Sequence, residues 1–587
     1  MARCDPVKMK QTLVGEATAK VNTADRRFAG VKYRSDAHWD YALGLDAESP
    51  GAFRNLLDGG HLCRTQIATW LREDLDPQSF APLALAPGGV RAVRSPARPV
   101  QPRLRDAAIA VIAATVLAAC ATRPVNPPIV RYDPDKPYRI ERPSENAEDN
   151  ATLVILAFSG GGTRAAAFSY GALETLRDME VTTKSGRQVR VLDTVDVITG
   201  ISGGSFTALA YGLYGDKLFD MYETSFLKRN VQGELVLRAF NPGNWAALGS
   251  TGWGRSELAA DMYDEILFNG ATFNDLRRDG PRILVSATDL ADGTRIIFNT
   301  ETFDVLCTDL SSVRLARAAA ASSAVPVVLS SITIDNYGGT CGYQLAPWTR
   351  IFLDNPDPPR PAARTVKRLQ EMQAFADREH RPYLHLVDGG VSDNVGVRGV
   401  LDVLSTFEAL HAAGQTTPYD HVRNVFIFVV NSLATPPNDW DLHEDPPGLF
   451  DVLIKATGTP IDRYSYDTVE TLRDIQARWA SLREVRDAIK AYPALGEKLQ
   501  VIMRAPDITI RVVEVSFGSL PDEAERSYLN TLPTSFVLDD QAVDRLRIAA
   551  KNAILASPEV KRLVDNGALR MIGPGPRVGA AVPERAR

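Results

Sequence analysis

A serine set between glycines is the first residue whose surroundings suggest chemistry. Gly200-Ile201-Ser202-Gly203-Gly204 follows an apolar run and precedes a small-residue stretch, which predicts a strand, a sharp turn and a helix. This is the G-x-S-x-G pattern of a nucleophile elbow, in which the turn exposes the serine hydroxyl and the flanking Gly200 and Gly204 make room for neighbouring backbone. The helix N-terminus behind Ser202 also offers free N–H groups to an anion. A glycine-rich loop without catalytic function fits the same pattern.

A second glycine-rich turn follows the apolar run 152–158, which predicts a buried strand. Ser159-Gly160-Gly161-Gly162-Thr163-Arg164 leads into a predicted helix over 165–179, so its backbone N–H groups could receive an anion. Gly160-x-Gly162-x-x-Ala165 matches a relaxed dinucleotide fingerprint, but no acidic residue is well placed after the second strand. A phosphate-binding Walker loop is excluded because no Gly-Lys-Ser/Thr follows. The third interpretation is an oxyanion hole, with Arg164 helping to fix the loop.

An acidic residue ends a further predicted strand. The strand 383–387 is followed by Asp388-Gly389-Gly390. In α/β sheets the carboxyl ends of the strands are where ligands bind, which makes Asp388 a candidate site residue. The alternative is an aspartate that only caps a turn.

Together, these three stretches resemble the patatin-like phospholipase family, in the order Gly160-Gly161-Gly162-Thr163-Arg164, Gly200-Ile201-Ser202-Gly203-Gly204 and Asp388-Gly389-Gly390. The resemblance covers roughly residues 152–563. Weaker family-like stretches are Gly254-Arg255-Ser256-Glu257-Leu258, Ala271-Thr272-Phe273, Ala321-Ser322-Ser323-Ala324-Val325-Pro326 and Leu532-Pro533-Thr534-Ser535-Phe536. One departure is Ala165, where the family loop usually has glycine.

The resemblance implies an α/β fold, a three-layer α/β/α sandwich with a mainly parallel central sheet. It implies lipid acyl hydrolysis, as in phospholipase A or lysophospholipase enzymes, by a Ser–Asp dyad without histidine and without a cofactor. Ser202 would be the nucleophile and Asp388 the general base. The oxyanion loop would comprise Gly160, Gly161, Gly162 and Arg164. The remaining motif glycines are Gly200, Gly204, Gly389 and Gly390. A lipid or phospholipid substrate and a membrane surface are the expected partners.

Two alternatives stay open beside this hypothesis. A carboxylesterase with a Ser–His–Asp triad would need a histidine after the aspartate, and His411, His421 and His443 satisfy that order. None of them lies in a glycine loop, and His385 is expected on the opposite face of its strand from Asp388. The other alternative is a non-catalytic envelope lipoprotein.

The N-terminal part of the sequence differs from the rest. Residues 1–99 show weak apolar periodicity and predict a low-order segment, for which a gene-model extension is one explanation. Residues 100–120 resemble a lipoprotein signal, with an apolar run that ends in the lipobox-like Leu117-Ala118-Ala119-Cys120. Lipidation at Cys120 would place the protein in the bacterial cell envelope, at the outer membrane or in the periplasm. A small apolar helix of no special role, with a cytoplasmic location, is the alternative.

The rest of the chain is assigned from composition and pattern. Residues 121–150 are proline-rich and polar, which predicts a tether; 151–402 form the catalytic core; 403–572 extend the same fold; and 573–587 are a loose tail. Phe240, Trp245 and Trp253 lie among glycines, which favours a packed loop over a rim that contacts lipid.

Charge and cysteine content limit the remaining functions. The 587 residues carry a net charge of −6, which gives no case for nucleic-acid binding. The cysteines fit no zinc spacing, so no metal site is predicted. If the domain is exported, an oxidising compartment would allow Cys307 and Cys341 to pair.

Overall fold

The computed structural model describes residues 123–134, 151–183, 186–248, 253–358, 363–435, 440–490 and 499–572. The predicted low-order segment 1–99, the signal-like segment with Cys120 and the predicted tail 573–587 lie outside these ranges. The described strands are β1 (Thr152–Phe158), β2 (Met179–Thr182), β3 (Gln188–Arg190), β4 (Val197–Ile201), β5 (Arg282–Asp289), β6 (Arg295–Phe298), β7 (Ile332–Asp335), β8 (Tyr383–Val387), β9 (Asn424–Asn431), β10 (Thr509–Ser516) and β11 (Leu569–Met571).

The described α-helices are α1 (Gly162–Arg177), α2 (Gly203–Tyr214), α3 (Leu218–Tyr222), α4 (Val231–Phe240), α5 (Pro242–Leu248), α6 (Arg255–Tyr263), α7 (Thr300–Val305), α8 (Leu315–Ser322), α9 (Arg350–Leu353), α10 (Ala363–Phe375), α11 (Gly390–Asp393), α12 (Arg398–Ala412), α13 (Leu449–Ile489), α14 (Gln500–Met503), α15 (Glu523–Thr531), α16 (Asp540–Ala556) and α17 (Pro558–Asp565). Single turns of 3-10 or π geometry join several of them.

The central sheet has eight strands in the order β10-β9-β1-β4-β5-β8-β7, with β6 paired to β5 beside this path. The strands from β10 to β5 in this order run parallel to one another. In contrast, β8 runs antiparallel to both β5 and β7, and β6 runs antiparallel to β5. A smaller sheet has the order β11-β2-β3.

Strand β1 shows why the sheet is covered on both faces. Side chains of a strand alternate between the two faces, and the apolar run of β1 therefore supplies two cores. Val154, Leu156 and Phe158 belong to one core cluster, and Ile155 and Ala157 belong to another. The predicted three-layer α/β/α sandwich with a mainly parallel sheet is confirmed.

The C-terminal part of the chain shares this sheet. β9 pairs with the whole length of β1, and β10 pairs with β9. Helix α13 is 41 residues long and has Pro460 inside it. The sequence pattern predicts only its second half, through the apolar face that includes Leu472, Ile475 and Trp479, which are buried.

Residues 123–134 lie against the domain, although the sequence assigns them to a tether. Arg123 donates two hydrogen bonds to the carboxylate of Asp335, both of 2.6 Å. The N–H of Ile129 donates to the carbonyl of Cys307 at 2.7 Å. Cys307 and Cys341 form a disulfide with a Cα–Cα distance of 5.6 Å, as the export hypothesis predicts. This part of the predicted tether is therefore packed, because a salt bridge and backbone hydrogen bonds offset the cost of ordering it.

The predicted packed loop around Phe240 is wrong. The structure has helices α4 and α5 there, with Phe240 71% and Trp245 58% exposed. The side chain of Asn230 caps α4 by accepting from the N–H of Gly233. The glycine-rich composition of this stretch does not indicate such a helix start. None of the helices within the described ranges is both long enough and apolar enough to cross a membrane.

Candidate active site

The serine turn between β4 and α2 has the strained backbone of an elbow. Ser202 has φ 48° and ψ −120°, which a side-chain-bearing residue rarely adopts. The glycines around it are required by close backbone contacts. A Cβ on Gly203 would lie 2.0 Å from the carbonyl oxygen of Gly162, and one on Gly204 would lie 2.6 Å from that of Ser159. The elbow therefore rests directly on the glycine loop after β1.

A buried hydroxyl from α8 holds the elbow in place. The N–H of Ser202 donates to Oγ of Ser322 at 2.9 Å, and this Oγ donates to the carbonyl of Ser286 on β5 at 2.7 Å. Ser322 is fully buried. The sequence pattern does not predict this contribution of Ser322, because the stretch 321–326 only resembles the family. The available signal was a pair of serines at the end of an alanine-rich helix.

Asp388 reaches the site by a route that the sequence did not predict. Its strand, β8, runs antiparallel to β5, so the expectation based on the carboxyl ends of parallel strands does not apply to it. β5 extends beyond the end of β4, and β8 pairs with this extension at Thr288 and Asp289. β8 then returns toward the elbow, where the N–H of Asp388 donates to the carbonyl of Ala324 at 2.9 Å.

Ser202 and Asp388 are in direct contact. The hydroxyl Oγ of Ser202 donates to Oδ2 of Asp388 at 2.9 Å, and Oδ1 accepts from the N–H of Gly390 at 2.7 Å. Burial raises the pKa of Asp388 to about 6, although both hydrogen bonds favour the charged form. A carboxylate with this pKa can accept a proton near neutral pH more readily than an exposed aspartate can.

The histidines in the described ranges lie elsewhere. His380 contacts Asp377, His385 contacts Thr333, and His411 contacts Asp420. His421 and His443 are exposed. Across the described residues, no histidine forms a hydrogen bond with Ser202 or Asp388.

The glycine loop presents backbone donors beside Ser202. Gly161 and Gly162 have φ 135° and 61°, which favour glycine at both positions. Within the described ranges their N–H groups donate to no acceptor, whereas the N–H of Gly160 donates to the carbonyl of Asn394 at 2.9 Å. Helix α1 begins at Gly162, and α2 begins immediately after Ser202. Two helix N-termini therefore converge on the serine, an arrangement that favours developing negative charge.

Arg164 joins the glycine loop to the distant stretch 532–536. Its guanidinium is buried and donates to the carbonyl of Ser432 at 2.9 Å, to that of Leu532 at 2.6 Å and to Oγ1 of Thr534 at 3.1 Å. Burial lowers the pKa of Arg164 to about 10. The N–H of Thr163 also donates to the carbonyl of Ser535 at 2.8 Å. The loop is thus supported from the C-terminal part of the chain.

Asn394 lies between the glycine loop and the turn after Asp388, and sequence analysis did not identify it. A Cβ on Gly160 would lie 2.4 Å from Oδ1 of Asn394, and one on Gly390 would lie 3.0 Å from it. Its Nδ2 donates to Oγ of Ser465 on α13 at 3.4 Å. The structure thus brings the predicted site residues of the described ranges into one region, and Cys120 lies outside those ranges. Over the ranges that the structure covers, no group of three or more His, Cys, Asp or Glu side chains could hold a metal ion.

The family model described as patatin-like phospholipase matches residues 156–401. No curated protein sequence matches the chain. Among solved structures, the chain is similar to human GIVD cytosolic phospholipase A2, with a TM-score of 0.35 and 14% sequence identity. The alignment covers 80% of this chain and 66% of that chain. It is also similar to VipD from Legionella pneumophila, with a TM-score of 0.26 and 11% sequence identity. This alignment covers 72% of this chain and 68% of that chain.

The human enzyme in complex with methyl gamma-linolenyl fluorophosphonate gives a TM-score of 0.32 and 13% identity, over 72% of this chain and 59% of that one. The chain thus spans slightly less than two thirds of the length of the human structures. The family match itself includes the glycine loop, the elbow and Asp388. Residues 156–401 are therefore a patatin-like phospholipase domain.

Proposed function

We propose that the protein is a serine lipid acyl hydrolase, similar in reaction to phospholipase A and lysophospholipase, that cleaves acyl esters through a Ser202–Asp388 dyad. The observation that carries this proposal is the 2.9 Å hydrogen bond from Oγ of Ser202 to the buried carboxylate of Asp388. The family match of residues 156–401 supports the lipid ester as the substrate class.

The geometry suggests the following acylation step. Asp388 accepts the proton of the Ser202 hydroxyl as Oγ bonds to the acyl carbon, and the carbonyl electron pair moves onto its oxygen. The N–H groups of Gly161 and Gly162 donate to this oxyanion. When the tetrahedral intermediate collapses, the acyl–oxygen bond breaks, and the leaving alkoxide takes the proton from Asp388. Water then repeats the sequence on the acyl enzyme and releases the carboxylic acid.

The two alternatives predict different outcomes. A Ser–His–Asp carboxylesterase needs a histidine next to Ser202, and the observed contacts of His411 do not favour it. A non-catalytic lipoprotein needs no reactive serine, and the raised pKa of Asp388 beside the serine does not favour that alternative either.

The test combines a serine-reactive fluorophosphonate probe with hydrolysis of phospholipid vesicles and of a soluble short-chain ester. We expect the full-length chain to react with the probe and Ser202→Ala not to react. Asp388→Asn should lower kcat/KM by about 10²–10⁴, the usual range for a general base. The matched controls His411→Gln, His421→Gln and His443→Gln should change little. A histidine variant as impaired as Asp388→Asn would support the triad, and an unreactive parent chain would support the non-catalytic alternative.

We also propose that lipidation at Cys120 anchors the protein to a membrane. The signal-like segment 100–120 motivates this proposal.

Three residue steps separate Cys120 from Arg123, which corresponds to at most about 11 Å of chain. Arg123 contacts Asp335 at the end of β7, and Asp335 pairs with Tyr383 at the start of β8, beyond the carboxyl edge of the parallel strands. The anchor would thus hold the site side of the domain close to the bilayer. Cys120→Ser should move the protein from the membrane to the soluble fraction, and mass spectrometry of an intact chain with unmodified Cys120 would refute the proposal.

A further inference from the structure

Several large apolar side chains are exposed near the carboxyl edge of the central sheet, where Ser202 and Asp388 lie. They belong to two separate stretches, α4–α5 and the start of α13. We define the apolar rim as Leu237, Phe240, Trp245, Leu449, Val452 and Leu453. Single exposed apolar residues are common on proteins, but apolar groups gathered around a site indicate a binding surface.

Helix α13 runs antiparallel to the strands and continues past this edge. Arg483 donates to the carbonyl of Ile508 at 2.6 Å, immediately before β10 begins, and Arg473 pairs with Glu514 near the end of β10. Ser465 contacts Asn394, whose side chain lies against Gly160 of the glycine loop. The residues that precede Ser465 therefore extend beyond the edge of the sheet.

The extending part of α13 is long and exposes apolar side chains at its start. At 1.5 Å of rise per residue, the interval from Leu449 to Ser465 corresponds to about 24 Å, with a bend expected at Pro460. Leu449 is 77% exposed, and Val452 and Leu453 are each 43% exposed. A helix that served only to cover the sheet would have no reason to present these side chains to water.

The stretch α4–α5 starts near the glycine loop of the site. At its start, the N–H of Gln232 donates to the carbonyl of Phe536 at 3.2 Å, next to Ser535, which binds the glycine loop. Beyond this stretch, a Cβ on Gly254 would lie 2.4 Å from Oγ of Ser330. Ser330 lies six residues after Ala324, whose carbonyl accepts from the N–H of Asp388. The stretch thus begins beside the glycine loop, and the sequence after it continues into the segment that contacts Ser330.

The charges of α4–α5 do not oppose burial in an apolar environment. The charged side chains of residues 231–248 are Glu234 and Arg238. Glu234 pairs with Arg229 at 2.7 Å, and Arg238 pairs with Glu265 at 2.6 Å. Leu237 is 73% exposed beside Phe240 and Trp245, and tryptophan is a residue type enriched at the boundary between lipid and water.

We propose that the apolar rim docks the domain on the lipid surface that contains its substrate. The inference rests on the proposed lipid acyl hydrolase function, because an acyl ester must pass from a lipid layer to Ser202 at the carboxyl edge of the sheet. Docking would place the carboxyl edge of the sheet on the lipid, with Leu449 and Leu453 on one side of the site and Phe240 and Trp245 on the other. Apolar side chains buried in the interfacial layer supply the binding free energy of such a contact.

The test measures vesicle binding by the full-length chain carrying Cys120→Ser and Ser202→Ala, so that neither lipidation nor hydrolysis contributes. Two rim variants are added to it, Phe240→Ser/Trp245→Ser and Leu449→Ser/Leu453→Ser. Each should weaken cosedimentation with phosphatidylethanolamine/phosphatidylglycerol vesicles by at least about tenfold, since each removes two large apolar side chains. The matched control is Ile548→Ser/Val564→Ser, which are 59% and 40% exposed. Ile548 follows Arg547, which pairs with Glu174 near the far end of α1, away from the site. This control should bind like the parent.

A second arm restores Ser202 and compares substrates. The rim variants should hydrolyse a soluble short-chain ester at the parental rate and vesicle phospholipid at least about tenfold more slowly. Unchanged vesicle binding by both rim variants would overturn the proposal, as would equal losses on both substrates. A dimer that becomes a monomer only in the rim variants would assign the surface to a second copy of the chain instead. If the parent hydrolyses neither substrate, the proposed function fails, while the binding arm still decides the role of the rim.

Discussion

Residues 156–401, which the family model matches, contain the groups proposed to react, whereas residues 403–572 contribute none of them. Yet the second region supplies β9, the neighbour of β1, and the stretch that binds Thr163 and Arg164 in the glycine loop. The two regions therefore differ in kind: one places the reacting atoms, and the other holds the backbone that positions them. A match to the motif-bearing region alone understates how much of the chain the site requires.

The largest expected effect comes from removing the second region. A chain that ends at Gly414, after α12, loses β9 and β10 and leaves β1 as an edge strand beside the glycine loop. We expect no cooperative thermal unfolding by circular dichroism and no labelling by a fluorophosphonate probe. A chain that ends at Ile572 is the control and should unfold like the parent. Native-like melting of the shorter chain would show that the matched region is self-sufficient.

Arg164→Lys tests the connection between the two regions without removing the charge. Lysine cannot reproduce the three guanidinium contacts to Ser432, Leu532 and Thr534. We expect kcat/KM for a soluble ester to fall by about 10- to 100-fold, because small displacements of catalytic groups are costly. Arg526→Lys is the matched control, since Arg526 binds the carbonyl of Leu520 and does not contact the glycine loop. Equal losses in both variants would indicate a general loss of stability.

The pH dependence should belong to the first region alone. Because only the carboxylate of Asp388 can accept the serine proton, and its pKa is raised to about 6, kcat/KM should fall about tenfold per pH unit below 6. The small residual activity of Asp388→Asn should not show this decrease of kcat/KM below pH 6. A rate that is flat between pH 5 and pH 7 in the parent chain would contradict the proposed base.

The ionisation of Asp388 should lower the stability of the fold as pH rises, whereas it raises the activity. Between pH 3.8 and about 6 the folded chain holds a proton that the unfolded chain has lost. The contribution of Asp388 to folding therefore falls as pH rises through this window and is constant above it. Asp388→Asn should thus raise the midpoint of thermal unfolding above pH 6, although it impairs hydrolysis, and differential scanning calorimetry at pH 5 and pH 8 measures this change.

The smallest effect is expected within the first region, at Ser322. Ser322→Ala removes the acceptor of the Ser202 N–H, which should cost about 1–2 kcal/mol of stability and lower kcat by up to about tenfold. Ser323→Ala is the control, because Ser323 donates to the carbonyl of Ala319 and does not bind Ser202. If the two variants lose kcat equally, the hydrogen bond of Ser322 does not position the elbow.

The sequence alone determined the local units of the site. β1, β5 and β9 coincide with apolar runs, because strands buried on both faces lack polar alternation. The elbow and the glycine loop follow from glycines whose φ values or close contacts exclude a Cβ. The fold class followed from the resemblance that the three motifs, in their order, carry to the patatin-like phospholipase family. The strands, the elbow and the glycine loop each depend on residues within a few positions of one another, which a pattern can reveal.

Tertiary structure decided how these units meet. The antiparallel path of β8 that brings Asp388 to Ser202, 186 positions apart in the chain, depends on β5 being longer than β4. The docking of the stretch 532–536 on Arg164 and the exposure of Phe240 likewise depend on packing between distant segments. Hydrophobic pattern and backbone propensity are local properties, whereas strand direction and surface exposure are set by which distant elements bury one another.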